Sequence, residues 1–87
     1  MNETRILASY VVNNRWEDIP ADIRHEATRA IINVVGCAIG GSPHPAVTTA
    51  IRALSPFSGE RTASVIGRVE RLDPLHASLM NGISSHV

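Results

Sequence analysis

Apolar residues recur at helical spacing in four separate stretches of this chain. In the first, Glu3 to Trp16, the residues Ile6, Leu7, Tyr10 and Val11 share a stripe while Arg5, Ser9 and Asn13 fall on other faces, which predicts an amphipathic helix. Asn2 can cap it, and the polar run Asn13-Asn14-Arg15 weakens the stripe ahead of a turn through Glu17 and Asp18. A second helix is expected from Asp18 or Ile19, because Pro20 suits a first helical turn and Asp22 places negative charge at the positive end of the dipole. From Ile23 through Ala27, Ala30, Ile31, Val34, Val35, Ala38 and Ile39 the 3.6-residue period runs for about 30 Å, making this the expected central element. Gly40-Gly41-Ser42-Pro43 should end it.

A shorter third helix is predicted over Pro45 to Leu54, with Ala46, Val47, Ala50, Ile51 and Leu54 as its stripe, broken by Ser55-Pro56-Phe57-Ser58-Gly59. The β-branched run Thr62 to Ile66, bounded by Gly59 and Gly67, predicts a short extended segment too isolated to make a sheet. Asp73 as cap and Pro74 in first position announce a last helix carrying Leu75, Leu79 and Ile83. Nothing near Ser84-Ser85-His86-Val87 reads as a helix stop, so the sequence looks cut rather than finished. The pattern as a whole predicts an all-α chain of about four helices, folded as one compact unit without repeats or linkers.

Composition narrows the possible roles. With 44% apolar residues but only Tyr10, Trp16 and Phe57 aromatic, the core must be built from aliphatic side chains. A chain this short buries only about 60 to 65% of its unfolded surface, so a partner surface is expected. Eight arginines balance eight acidic residues with no run of either sign, which argues against nucleic acid. There is no lysine, so a Schiff-base route is closed. The one cysteine, Cys37, cannot form an internal disulfide, and the start Met1-Asn2-Glu3-Thr4-Arg5 lacks a signal-peptide core, so a cytoplasmic location is expected. Ala30 to Gly41, the most apolar run, is about half the length of a membrane span, so no membrane is expected. It reads as a buried core helix in which Gly36 and Gly40, one turn apart, let a neighbouring helix approach closely.

Few side chains suggest chemistry. His25, His44, His76 and His86 are scattered, no pair has metal-ligand spacing, and no metal or other cofactor is expected. Cys37, in the apolar part of the second helix, reads as a small buried hydrophobe. Ser84, Ser85 and His86 are sequence neighbours that do not face one another on a helix, and no G-x-S-x-G elbow accompanies them. His25 and His44 are explained by solvated positions near helix starts. His76 and His86 flank the small residues Ala77, Ser78, Gly82, Ser84 and Ser85, which admit either a tight helix crossing or a pocket wall. Asn81-Gly82 is locally unfavourable in a helix by about 1 kcal/mol for the glycine alone, so a nonlocal interaction should compensate.

Four segments together resemble the amino terminus of MmgE/PrpD proteins. They are Leu7-Ala8 to Tyr10-Val11, Trp16-Glu17-Asp18-Ile19-Pro20, Ile32 through Gly41, and Asn81-Gly82-Ile83-Ser84-Ser85-His86, the last being the most specific. The resemblance covers nearly all of this chain but a minor part of a family member. It implies a helical domain, joined in complete members to a later α+β domain, usually in a homodimer. Members include 2-methylcitrate dehydratase, cis-aconitate decarboxylase and iminodisuccinate epimerase, which act on small di- or tricarboxylates without a metal or organic cofactor. Such chemistry removes and returns a proton beside a carboxylate, and needs positioned acids, bases and cations.

In the family, the histidine matching His86 is followed by an Asp-rich stretch with Thr and a further His that supplies active-site residues, and substrate-binding lysines come later. Val87 ends this chain before that stretch. Many members carry Asp where this chain has Asn33, a departure that weakens any choice among substrates. The expectation is therefore residues 1–87 as a partial amino-terminal helical domain of a cofactor-independent lyase or isomerase. It should be inactive alone and completed by the remainder of the enzyme or a second subunit. His86 would line the active site without performing the reaction by itself. The rival expectation is a free-standing helical module binding a protein partner through the aliphatic faces of its first and last helices.

Overall fold

The computed structural model describes residues 2–87. Four helices, α1 (Asn2–Asn13), α2 (Ala21–Gly41), α3 (Pro45–Leu54) and α4 (Pro74–Ser84), carry the chain. One-turn 3₁₀ segments lie at Trp16–Asp18 and Ser55–Phe57. The expected all-α architecture with four helices holds, with one small addition. Two-residue strands β1 (Ala63–Ser64) and β2 (Arg71–Leu72) pair antiparallel, Ala63 opposite Leu72 and Ser64 opposite Arg71. The sequence reading had β1 as an unpaired extended segment; Arg71-Leu72 is too short to carry a strand period of its own.

Helix boundaries moved where local chemistry competes. The first helix stops at Asn13, not Trp16, because the Asp18 carboxylate accepts from the Arg15 amide at 3.1 Å and turns the chain through 3₁₀ geometry. Pro20 has ψ of 146°, so it stands outside α2 as the flanking residue and is not the first helical residue. The last helix does stop, at Ser84, where the Ser85 amide bonds back to Asn81 and the Ser85 hydroxyl to the Gly82 carbonyl at 3.0 Å. Ser85 thus satisfies carbonyls that looked orphaned in the sequence.

The core lies in the carboxyl-terminal half. Val47 and Ile51 from α3, Val65 and Leu72 from the hairpin, and Ala77 and Met80 from α4 form one buried cluster, flanked by Leu54, Ala63 and Ile83. The end of α2 joins this layer through Ala38, its one buried residue. Gly41 makes that junction possible: a Cβ there would run into the backbone carbonyl of Ser84, so only glycine lets the last turns of α2 and α4 meet. The hairpin loop is shaped by a turn from Val65 to Arg68, closed by Arg68 N–H donating to the Val65 carbonyl at 3.1 Å. Gly67 takes φ of +77° at its third position, as a type II turn requires.

The amino-terminal half is different. No residue of α1 is buried, and Ile31, Ile32, Val34 and Ile39 of α2 are each more than half exposed. The Cα radius of gyration is 16.7 Å, against about 12 Å for a compact chain of this length. The expectation of one compact unit is therefore corrected: the apolar stripe of α1 and most of α2 find no partner inside these residues. Two more expectations fall with it. Cys37 is exposed, not a buried hydrophobe, and nothing lies within 4 Å of a Cβ built on Gly36 or Gly40.

The division of the core predicts unequal mutational costs. Met80→Ala or Leu72→Ala should destabilise by about 2 to 5 kcal/mol, whereas Leu7→Ala on α1 should cost less than about 0.5 kcal/mol. Urea unfolding followed by circular dichroism measures both.

Candidate functional site

The motif Asn81-Gly82-Ile83-Ser84-Ser85-His86 occupies the last turn of α4 and the turn that follows it. Asn81 anchors it. Its Oδ1 accepts from the Ile66 amide at 2.9 Å and its Nδ2 donates to the Ser64 carbonyl at 3.2 Å, so the side-chain amide pairs with β1 as a neighbouring strand would. This is the nonlocal compensation that an Asn-Gly pair within a helix required. Gly82 itself faces open space, so neither a helix crossing nor a pocket wall is built against it by these residues. Ser84 is fully buried beside Gly41, and its hydroxyl has no hydrogen-bond partner.

His86 follows directly. Its amide donates to the Ile83 carbonyl at 3.1 Å, which closes the turn, and its side chain is exposed. No carboxylate or second imidazole hydrogen-bonds to the His86 ring among the described residues. His76 does not join it: ten residues along the helix separate the two by about 15 Å. Instead, His76 Nδ1 lies 2.8 Å from Asp73 Oδ2 at the opposite end of α4.

Asp73 holds that opposite end together. Its Oδ1 accepts from the His76 amide at 2.8 Å as the helix cap, and its Oδ2 accepts from the Gly59 amide at 2.6 Å. The backbone donors, His76 first and Gly59 second, then the His76 ring, hold its carboxyl well below the usual carboxylate range. Asp73 thus ties α4 to the loop after α3. His44 also has a structural place that the sequence reading did not give it, since its Nδ1 accepts from the Ala46 amide at 3.0 Å and caps α3. His25 is exposed and makes no such bond.

A second feature escaped the sequence reading, which treated the arginines only as balancing charge. Arg52, Arg61 and Arg68 line an open cleft of about 490 Å³ between α3, the Ser55–Phe57 turn and the hairpin loop. Two of them are already engaged. Arg61 donates to the Ser55 hydroxyl at 3.0 Å and the Ser55 carbonyl at 2.9 Å. Arg68 makes a two-pronged pair with Glu70 at 3.1 and 3.0 Å, and donates to the Ser42 carbonyl at 2.8 Å. The guanidinium holds the Glu70 carboxyl below its usual range, chiefly by those hydrogen bonds. The signal available in the sequence was Arg68-Val69-Glu70, an i, i+2 pair that shares one face when the chain is extended. These contacts lock the hairpin loop onto the α2–α3 corner. Among the described residues, no group of three or more His, Cys, Asp or Glu is placed to hold a metal ion. No single described helix is long and apolar enough to cross a membrane.

Comparison with known proteins agrees with the motif. The model of the MmgE/PrpD N-terminal domain matches residues 5–87. A cis-aconitate decarboxylase-like protein of Aspergillus oryzae, oryM, is 32% identical over 81 residues. That alignment covers 93% of this chain and 17% of the relative, so the chain spans about a sixth of the length of the curated protein it matches. No solved structure matches the chain.

Two outcomes follow from the geometry of α4. Asn81→Ala should leave the Ile66 amide without its acceptor and cost about 1 to 3 kcal/mol, which thermal unfolding measures. Because folding lowers the Asp73 pKa, its contribution is complete above the ordinary carboxylate value and is lost as the pH falls through and below about 4. The melting temperature should therefore drop on acidification in that window, and Asp73→Asn should flatten the drop.

Proposed function

The chain belongs to the MmgE/PrpD family, and from that premise we propose that it is the amino-terminal scaffold of a lyase or isomerase acting on small di- or tricarboxylates. The observation that carries this is the match of the family's N-terminal domain along residues 5–87, ending on the Asn81-to-His86 motif. The substrate class is supported by a relative named as cis-aconitate decarboxylase-like. His86 has the role of lining the substrate site at the exposed end of α4. It does not act alone.

Proton removal beside a carboxylate needs a base, an acid to return the proton and cations to hold the developing charge. In this chain the acids and cations nearest α4 serve the fold: Asp73 caps the helix, and Arg68 and Glu70 pin the hairpin. The remaining groups come from the rest of the enzyme or from a second subunit. The chain alone is accordingly inactive in this proposal, and its catalytic use requires completion. A free-standing module binding through its first and last helices is less well supported, because α4 buries Ala77, Met80 and Ser84 inside this chain.

The test is an assay of the purified 87-residue chain with cis-aconitate and 2-methylcitrate, followed by proton NMR of the substrates. No turnover above the uncatalysed rate is expected. Clear product formation that His86→Ala leaves intact would overturn both the scaffold role and the place given to His86.

A further inference from the structure

The charges of this chain balance overall, eight arginines against eight acidic residues, yet they do not balance locally. Arg52, Arg61 and Arg68 meet on one open cleft of about 490 Å³, and Glu70 is the carboxylate that lines it with them. Both Glu70 oxygens are occupied by Arg68, Oε1 by Nε and Oε2 by Nη2. Three guanidinium charges against one carboxylate leave two uncompensated. Gathering like charges is unfavourable unless something holds them, and here backbone carbonyls do. Arg61 donates to the Ser55 and Arg71 carbonyls, and Arg68 to the Ser42 carbonyl. A carbonyl orients a guanidinium without cancelling its charge. The same contact covers the carboxyl end of α3, which would otherwise repel an anion, because Arg61 sits on the Ser55 carbonyl.

The hydrogen-bonding inventory points the same way. The Ser55 and Thr48 hydroxyl oxygens accept from Arg61 and Arg68 at 3.0 and 3.2 Å, which leaves the O–H of each as a donor. The Arg52 guanidinium is exposed and hydrogen-bonds to nothing among the described residues, so all its N–H groups remain available. Acceptors in the cleft are thus occupied while donors are left over. Ile51 and Pro56 add apolar surface to the lining, against which a carbon skeleton can rest. No residue of α4 lines the cleft, so it is not the face to which His86 was assigned.

We propose that this cleft is a binding site for a small organic dianion, a dicarboxylate or a phosphate monoester, held between Arg52 and the fixed guanidiniums of Arg61 and Arg68. Two negative charges match the two that the cleft leaves uncompensated, and the guanidinium fork fits carboxylate and phosphate alike. Because Arg61 and Arg68 are already held in place, only Arg52 has to be ordered on binding, which lowers the entropic cost.

The experiment titrates the 15N-labelled 87-residue chain with succinate and with glycerol 3-phosphate, holding the ionic strength at about 0.1 M with sodium chloride. Saturable shifts of the Arg52 and Arg61 Nε–H signals and of the Thr48 and Ser55 amides are expected, with a Kd of about 1 mM or tighter for at least one of the two. Whichever binds identifies the headgroup and upholds the site. Acetate, with one charge, should bind at least about tenfold more weakly. Arg52→Gln should leave the melting curve unchanged, since its side chain bonds to nothing here, and weaken dianion binding by about tenfold. Arg5→Gln removes the same charge from exposed α1 and should leave the affinity as it was. No saturation by either dianion up to about 20 mM, or acetate bound as tightly, would overturn the proposal. So would unchanged affinity in Arg52→Gln, or an equal loss in Arg5→Gln, which would reduce the effect to attraction by net charge.

Discussion

One face of α4, formed by Ala77, Met80 and Ser84, is the surface on which the tertiary structure is assembled. The end of α2, the whole of α3 and both strands meet there, and removing that face would leave them little to pack against. Its placement is fixed from both ends by polar side chains. Asp73 binds the Gly59 amide and caps the first turn, while Asn81 pairs with the edge of β1 near the last. Hydrophobic burial alone is nondirectional. These two side chains supply the register that it lacks.

The same arrangement explains why the chain is unevenly built. Burial stops at Ala38 on α2, and everything amino-terminal to it is held by helical hydrogen bonds and a few local contacts, such as Arg24 lying 5.1 Å from the Trp16 ring. Short isolated helices are marginal in water, so α1 gains little from its own sequence. Its aliphatic stripe lies exposed. In the proposed role the two halves therefore do different work: the carboxyl-terminal half sets the position of His86, and the amino-terminal half offers the contacts by which the domain is completed.

Much of this was legible in the residues. Periodicity located all four helices, and Asp73-Pro74 located the start of α4 to the residue, because capping is a local interaction between near neighbours. The oddity of Asn81-Gly82 was visible too, though its partner was not, since Ile66 is 15 positions away and no local rule connects them. Burial was misjudged for a related reason. Cys37 and the Gly36–Gly40 spacing pointed to burial and a close helix, whereas among the described residues Cys37 is exposed and nothing approaches either glycine. The close approach that does occur falls at Gly41, which in the sequence looked like one more helix terminator. For the site, the motif ending in His86 was recognisable, while the structural duties of Arg68, Glu70 and His44 emerged only from three-dimensional neighbours.

The central claim is that packing density, and hence stability, is concentrated on α4 and fades toward the amino terminus. Residue-resolved amide hydrogen exchange of the 87-residue chain reads this directly. Slow exchange should be confined to α3, α4, Leu72 and the last turns of α2, with α1 and the first half of α2 exchanging within the range of frayed helices. Equal protection along α1, α2 and α4 would contradict it.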